Sequence, residues 1–452
     1  MWDDKGEFEA KVKSLLIKGG RIIDPGQGID EFANVFITAG KISVLGKIPP
    51  SPPDYDVLNA KGLIVCPGFI DLHCHLRQPG FEEKETIATG TRAAARGGFT
   101  TVCCMPNTNP PLDSRETIEY VKSVAAAEGI VRVLPIGCIS KGRRGEELVD
   151  MAELESAGVI GYSDDGDPVN SPQLMHQALD YSRAIGLPVI DHCEEKTITE
   201  GGQINEGIIS LGLGLRGIPR AAEERMVQRN LALARQSPGC HLHIAHVSTE
   251  DSVELIRHAK EQGISVTAEV TPHHLTLTEE APLGYNTNAK VNPPLRTKRD
   301  IEALIQGLRE DVIDIIATDH APHTEADKNC KFTQAAFGIS GLETALGSLM
   351  TLVHKGELVL NNIIAKLTYE PAKILHNDEL GTLKIGTPAD ITIFDLHKEW
   401  LVDANDFASK GKNTPLAGQV LKGKVMATIF QGQPVYLDES IKIAPADAEV
   451  NK

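Results

Sequence analysis

The 452-residue chain has no uninterrupted apolar run of about 18 residues, so it offers no membrane-crossing helix. Its opening residues, Met1-Trp2-Asp3-Asp4-Lys5-Gly6-Glu7, are acidic and lack the apolar core of a secretory signal, which makes the cytoplasm the expected compartment. None of the eight cysteines forms a C-x-x-C pair, and most lie in apolar strand-like runs. They read as small buried residues in a reducing compartment, which excludes a disulfide framework or a zinc ribbon. No G-x-G-x-x-G precedes a helical pattern, so an open dinucleotide-binding sheet loses its main support. An excess of basic charge is also missing. With 45 Lys and Arg against 62 Asp and Glu, the formal net charge is −17. That argues against nucleic acid or an anionic membrane as the main partner. It leaves a small anionic substrate open, because local cations and metal ions set the field inside a cleft.

What is present divides into two textures. Both ends of the chain read as β structure. Leu15 to Asp24, Asn34 to Ile37 and Lys41 to Leu45 form the first set, and the hairpin-like stretches from Gly381 to Phe394 and from Gln419 to Gly432 form the second. Neither end is large enough for a core of its own, so the two are expected to build one small domain together. Residues 1–13 read as a loose extension, Pro49-Pro50-Ser51-Pro52-Pro53 as a rigid exposed loop, and residues 438–452 as a polar tail.

Between the ends, apolar runs alternate with helical patterns eight times. The strand-like runs are Leu63 to His75, Phe99 to Met105, Val131 to Ile139, Val159 to Ser163, Pro188 to Cys193, His241 to Val247, Ile264 to Val270 and Asp314 to Thr318. Glycines at 97, 98, 129, 158, 186 and 263 punctuate several helix ends. Eight β–α units predict an α/β fold with a (β/α)8 TIM-type barrel over residues 65–377. A small β-sandwich domain from residues 14–64 and 378–437 completes the expectation. The Gly-rich connection Glu195 to Ile218 and the connection Pro272 to Thr297 both follow strands, which assigns them to the active-site face.

His73 and His75 stand one residue apart at the end of the first barrel run, so both imidazoles can face one point, and a metal ion is the usual reason for that. Arg77 continues the alternation with a planar cation suited to a carboxylate. Other run ends add Asn107, Asp164 and Asp165, His192, His246, His273 and His274, and Asp319, His320 and His323. Histidines and carboxylates gathered on one face suit hydrolytic metal chemistry.

Asp71-Leu72-His73-Cys74-His75-Leu76-Arg77 and Ala317-Thr318-Asp319-His320-Ala321-Pro322-His323, with Lys328 further on, resemble the two signature motifs of dihydroorotases of the amidohydrolase superfamily, class I bacterial monofunctional type. Met105-Pro106-Asn107-Thr108, Asp164-Asp165-Gly166, Asp191-His192-Cys193-Glu194, His246-Val247-Ser248 and Asn292-Pro293-Pro294-Leu295-Arg296 resemble its intervening motifs. The resemblance implies one or two Zn2+ ions per subunit. His73, His75 and Asp319 would hold one, His192 and His246 a second, and Asp165 would bridge them, with Asp164 competing for that role. Lys141, in an exposed Gly/Arg-rich loop, is set aside as a bridging lysine. Asp319 is the implied general acid/base. His75, Arg77, Asn107, Asn292, His323 and the backbone at Phe337 and Gly338 are the implied substrate contacts. His273, His274 and His320 are left as structural.

The implied reaction is reversible closure of N-carbamoyl-L-aspartate to dihydroorotate and water in pyrimidine biosynthesis, by a metal-activated hydroxide. Residues 324–333 are expected to form a mobile lid. The resemblance leaves aspartate transcarbamoylase as a partner and a homodimer open. The alternatives are a hydantoinase- or allantoinase-type cyclic amide hydrolase and a non-catalytic scaffold for aspartate transcarbamoylase.

Overall fold

The computed structural model describes residues 14–47 and 54–446. The expected N-terminal extension, the Pro49–Pro53 loop and the last six residues of the expected tail lie outside them. Among the described residues no helix is long and apolar enough to cross a membrane.

The central body is a ring of parallel strands. Phe69–Cys74, Phe99–Cys104 and Arg132–Pro135 form one parallel group, and Val189–Asp191, Leu242–Ile244, Val266–Val270 and Ile315–Ile316 form another. Single parallel bridges from Gly137 to Tyr162 and from Tyr162 to Val189 join them on one side, and Cys74 to His320 closes the ring on the other. The fourth barrel strand, expected over Val159 to Ser163, is short: the Ile160 and Ser163 N–H groups donate to the Pro135 and Gly137 carbonyls on one side, and on the other the Tyr162 N–H donates to the Pro188 carbonyl. Gly161, beside Tyr162, packs against Pro188, where an added Cβ would lie 3.2 Å from the proline ring. Ile70, Leu72, Cys103, Met105, Ile136, Ile190, Ala245 and Ile315 fill the barrel centre, and Ala372 and Ile374 of helix Tyr369–Ile374 close its base.

The outer helices follow their capping signals. Ser114 caps Arg115–Glu128, with its side chain accepting from the Thr117 N–H. Thr297 caps Lys298–Arg309 in a reciprocal box with Asp300. Pro172 opens Pro172–Ile185 at a position where its missing N–H costs nothing. Helix Met151–Ala157 follows a loop tied by the Ser140 to Leu148 bridge.

The two chain ends meet in one nine-stranded mixed sheet. Ser14–Asp24 is its spine: the first half pairs with Tyr55–Asn59, and the second with Ile64–Pro67. Ile64–Pro67 then pairs antiparallel with Ile391–Leu401, which joins N-terminal to C-terminal strands. The branches share one core that includes Ile17, Ile22, Val35, Leu58, Ile391, Ile393 and Ile429. The sheet runs past the expected limit at residue 437, because Ile443–Pro445 pairs with Tyr55–Asn59.

The run Leu63 to His75 is not one strand. Ile64–Pro67 belongs to the end sheet and Phe69–Cys74 to the barrel. Gly68 lies between them, against Thr100, where an added Cβ would stand 2.1 Å from the threonine hydroxyl. Thr392 fastens the junction, accepting from the Phe69 N–H at 3.4 Å and donating to the Gly98 carbonyl.

Candidate metal centre

The register of Phe69–Cys74 against its neighbour slips between Asp71 and Cys74. Such a slip lets the strand change the faces its residues present. Ile70 and Leu72 pack in the barrel centre, whereas Cys74 packs in the outer core, which leaves His73 and His75 facing inward at the strand's carboxyl end. Asp71 anchors the turn by accepting from the Thr318 N–H at 2.8 Å and hydroxyl at 2.5 Å. That places Asp319 opposite the two histidines.

Two overlapping ligand groups result: His73, His75 and Asp319, and His73, Asp165 and His246. Asp165 joins them. Its Oδ1 lies 3.5 Å from His73 Nε2, 3.7 Å from His246 Nε2 and 3.8 Å from His192 Nδ1, while its Oδ2 lies 3.6 Å from His75 Nε2. Asp319 Oδ1 stands 3.0 Å from His75 Nε2 and 3.5 Å from His73 Nε2. His192 and His246 approach each other at 2.9 Å between Nδ1 and Nε2. Asp164 is turned away: it accepts from the Ile139 and Ser140 N–H groups at 2.9 and 3.1 Å and from the Ser140 hydroxyl. Lys141 is paired with Glu147 at the surface and does not reach the site.

These residues fit a divalent metal. His73 is fully buried, and its Nε2 has no hydrogen-bond partner although it faces two carboxylates. Its other nitrogen is 2.6 Å from Glu269 Oε1. An ionised carboxylate can only accept, so Nδ1 keeps its proton and Nε2 is the nitrogen whose lone pair would serve a metal that displaces its proton. The spacings also suit a small cation, since donor atoms bound at about 2.0–2.2 Å in a tetrahedron stand roughly 3.4 Å apart. Burial opposes charge on His73, but the Glu269 and Asp165 carboxylates outweigh it and raise its pKa well above the ordinary histidine value. Burial pushes the Asp319 carboxyl up, yet its bond to His75 and the neighbouring histidines hold it below the usual range. The cluster therefore gathers carboxylates that demand positive charge, which a metal ion supplies in place of protons. Three residues here, Arg77 (φ 62°), His246 (φ 33°) and Asp319 (φ 44°), hold left-handed backbone conformations that non-glycine residues adopt at a cost.

His75, Asp165, His192, His246 and Asp319 line a cavity of about 640 Å3, whose wall also includes Arg77, Asn107, Asn292, His323, Phe337 and Gly338. All seven expected substrate contacts, His75 among them, line it. Their hydrogen bonds refine the expectations. Asn107 bonds two members of the candidate cluster: its Oδ1 accepts from His75 Nδ1 at 2.9 Å and its Nδ2 donates to Asp165 at 3.2 Å. Asn292 donates to Glu194 at 3.0 Å, and Glu194 in turn holds His192 Nε2 at 3.1 Å. His323 Nε2 donates to the Phe337 carbonyl at 2.8 Å, so a ligand at that nitrogen competes with the carbonyl. Burial and the nearby cations Arg77, Lys328 and Lys84 lower the His323 pKa to about 3, so its ring is neutral. The Arg77 Nε donates to the Pro322 carbonyl at 3.2 Å, which aims the guanidinium along the cavity wall.

The remaining histidines act in support. His274 bonds Thr271 Oγ1 at 2.8 Å and donates to the Pro293 carbonyl at 3.0 Å, steadying the residue next to Asn292. His273 packs beside it, with ring centroids 4.7 Å apart. His320 accepts from the Gly341 N–H at 3.1 Å. Residues 324–333, expected as a mobile lid, contain the capped turn Glu325–Lys328. Lys328 is buried, and its ammonium donates to the carbonyls of Thr287, Lys290 and Ala336 at 3.1, 3.3 and 2.7 Å, which ties the segment down.

Sequence reasoning missed Glu269. It sits inside Val266–Val270, not at the strand's end, and bonds His243 Nε2 at 3.1 Å as well as His73. Two signals pointed to it: a lone carboxylate in an apolar strand, and a second pair of histidines one residue apart, His241 and His243.

Comparison with known proteins agrees with this geometry. A family model described as "Dihydro-orotase-like" matches residues 62–252. A dihydroorotase of Thermoanaerobacter sp. (strain X514) is 53% identical over 93% of this chain and 97% of its own length. One of Geobacter sp. (strain M21) is 50% identical over 94% of this chain and 99% of its own. Among solved structures, an L-hydantoinase (dihydropyrimidinase) from Arthrobacter aurescens superposes with a TM-score of 0.86 at 26% identity, covering 95% of this chain and 98% of that one. Half-identity sustained over nearly the whole of both chains, on a barrel whose strand ends carry a candidate metal-binding cluster, makes this chain a member of the dihydroorotase family.

Proposed function

We propose that the enzyme interconverts N-carbamoyl-L-aspartate and dihydroorotate at this cavity, with zinc as its metal. The observation that carries the reading is the placement of Arg77 on the wall of a cavity that is also lined by His75 and Asp319 of the His73–His75–Asp319 cluster. A cyclic amide bearing a ring carboxylate needs both features, a fixed cation for the carboxylate and a hydrolytic centre within one ring's width of it. His73, His75 and Asp319 would hold one ion, His192 and His246 a second, and Asp165 would touch both. When bound, such ions lower the pKa of water to about 7 and polarise a carbonyl.

The chain's own residues do the rest. Arg77 pairs with the substrate carboxylate, with His323 as a neutral neighbour sharing its Nε2–H between the Phe337 carbonyl and the ligand. Asn292 and the backbone at Phe337 and Gly338 read the amide edges of the ring. Asp319 is ionised, being held below the ordinary carboxylate range. In hydrolysis it takes a proton from the attacking water and delivers it to the ring nitrogen as the ring C–N bond breaks. In ring closure it removes the proton from the carbamoyl nitrogen and returns it to the departing oxygen. Its 3.0 Å contact with His75 keeps the carboxylate aimed across the site.

The test is hydrolysis of dihydroorotate by the purified protein with and without chelator, alongside Asp319→Asn. Turnover that chelation abolishes and zinc restores, together with a folded but inactive Asp319→Asn, is the expected result. Faster hydrolysis of hydantoin than of dihydroorotate, or a competent Asp319→Asn, would refute the assignment.

A further inference from the structure

Residues 402–419 join Ile391–Leu401 to Val420–Phe430 in the end sheet, but they do not stay with it. The chain crosses to the active-site end of the barrel as a strap. The N–H groups of Ala408 and Ser409 donate to the Glu343 carboxylate at 3.1 Å each, and the Ser409 hydroxyl donates to Glu85 at 2.5 Å. At Gly411 the strap lies so close to Pro322 that an added Cβ would stand 2.4 Å from the proline Cβ. Asn413 follows, 3% exposed.

The Asn413 side chain uses all four of its hydrogen-bonding positions. Its Nδ2 donates to the carbonyls of Ala321 and Gly338 at 3.0 Å each, and its Oδ1 accepts from the His323 N–H and the Ser340 hydroxyl at 2.9 Å each. Two of these bonds go to the segment that follows the eighth barrel strand, and two go to residues 338–340. These segments line the cavity side by side: one bears His323 and supports Arg77 through Pro322, and the other bears Phe337 and Gly338.

We infer that Asn413, supplied by the end domain, is a positioning residue that fixes the distance between the carboxylate-binding wall and the ring-binding wall. It touches no metal ligand in any of these bonds, so its action falls on substrate fit. The walls are also joined by the Ala321 N–H donating to the Ile339 carbonyl at 2.9 Å and by His323 Nε2 donating to the Phe337 carbonyl at 2.8 Å, so loss of the Asn413 bonds loosens their spacing without separating them. The inference rests on the substrate reading given above.

Steady-state kinetics on dihydroorotate and metal analysis of the holoenzyme test it, with wild type, Asn413→Ala, Asn413→Asp and Ser340→Ala in parallel. Asn413→Ala should raise KM at least about 10-fold, with kcat within about 3-fold and metal per chain unchanged. Asn413→Asp keeps the shape and both accepting bonds but loses both donations, so it should raise KM to a similar extent, and it carries the test if the alanine variant does not fold. Ser340→Ala removes one bond of four and should raise KM about 2–3-fold. An unchanged KM in a folded Asn413 variant overturns the inference, as does a fall in kcat that tracks lost metal. A wild type inactive on dihydroorotate overturns instead the reading on which the inference stands.

Discussion

Glu269→Gln is the sharpest test of how the ligand cluster is held. Glu269 is fully buried, and burial alone would push its carboxyl up, but the two imidazoles His73 and His243 outweigh this and keep it ionised. Its oxygens accept from His73 Nδ1 at 2.6 Å, from His243 Nε2 at 3.1 Å and from the His246 N–H at 3.3 Å. Glutamine has nearly the same shape but only one accepting oxygen. If that oxygen serves His243, the amide N–H faces His73 Nδ1, and His73 must move its proton to Nε2. Nε2 is the nitrogen facing Asp165 and Asp319, so the ligand's lone pair is lost. If the oxygen serves His73, a buried His243 donor goes unpaired and the charge that strengthened the His73 bond is gone. A charge-assisted bond of this kind contributes about 1.5–3 kcal/mol. Loss of such a carboxylate behind a metal-binding histidine weakens metal affinity about 10–100-fold. Titration of the metal-free protein with zinc against a competing chelator measures this directly, and circular dichroism verifies that the variant is folded. A folded Glu269→Gln that binds zinc within about 3-fold of wild type would refute the orientation argument.

Two further outcomes separate neighbouring roles. Arg77→Ala should raise KM for dihydroorotate about 100-fold and leave metal content unchanged, because the guanidinium faces the cavity and not the ligands; an unchanged KM refutes its pairing with the carboxylate. The adjacent aspartates should divide cleanly. Asp165→Asn should lose bound metal with little change in melting temperature of the metal-free protein, whereas Asp164→Asn, which weakens bonds to the Ile139 and Ser140 backbone, should cost about 2 kcal/mol of stability and keep its metal. Melting curves and metal analysis of both variants check this, and the opposite pattern would reverse the assignment.

The barrel and its candidate metal-binding cluster were legible because they depend on local order. Strand–helix alternation and helix-closing glycines are written in neighbouring residues, and in a barrel the strand ends are where ligands collect. What escaped was non-local. The division of Leu63 to His75 at Gly68 depends on Thr100 and Thr392, so a continuous apolar run could not reveal it. The fourth strand is held by backbone bonds to Pro135 and Gly137 on one side and to Pro188 and Ile190 on the other, partners that lie in two other runs. Asn107 reads as a substrate contact from its place at a run end; in the fold its amide is taken up largely by His75 and Asp165, which only the folded chain brings to it. Glu269 was hidden because attention to strand ends passes over strand interiors.

The pairing of Ile64–Pro67 with Ile391–Leu401 also sets a schedule for synthesis. Cys66 meets Thr392 across 326 residues of chain. At the usual ribosomal pace of about 5–20 residues per second, that partner emerges on the order of tens of seconds later. Throughout that interval the apolar edge of the first β segment is present without its mate, while the barrel units between them emerge in order and can form local contacts. The end domain is therefore the last part of the molecule to be completed, and a chain cut short before residue 391 leaves an open sheet edge of the kind that pairs with other chains.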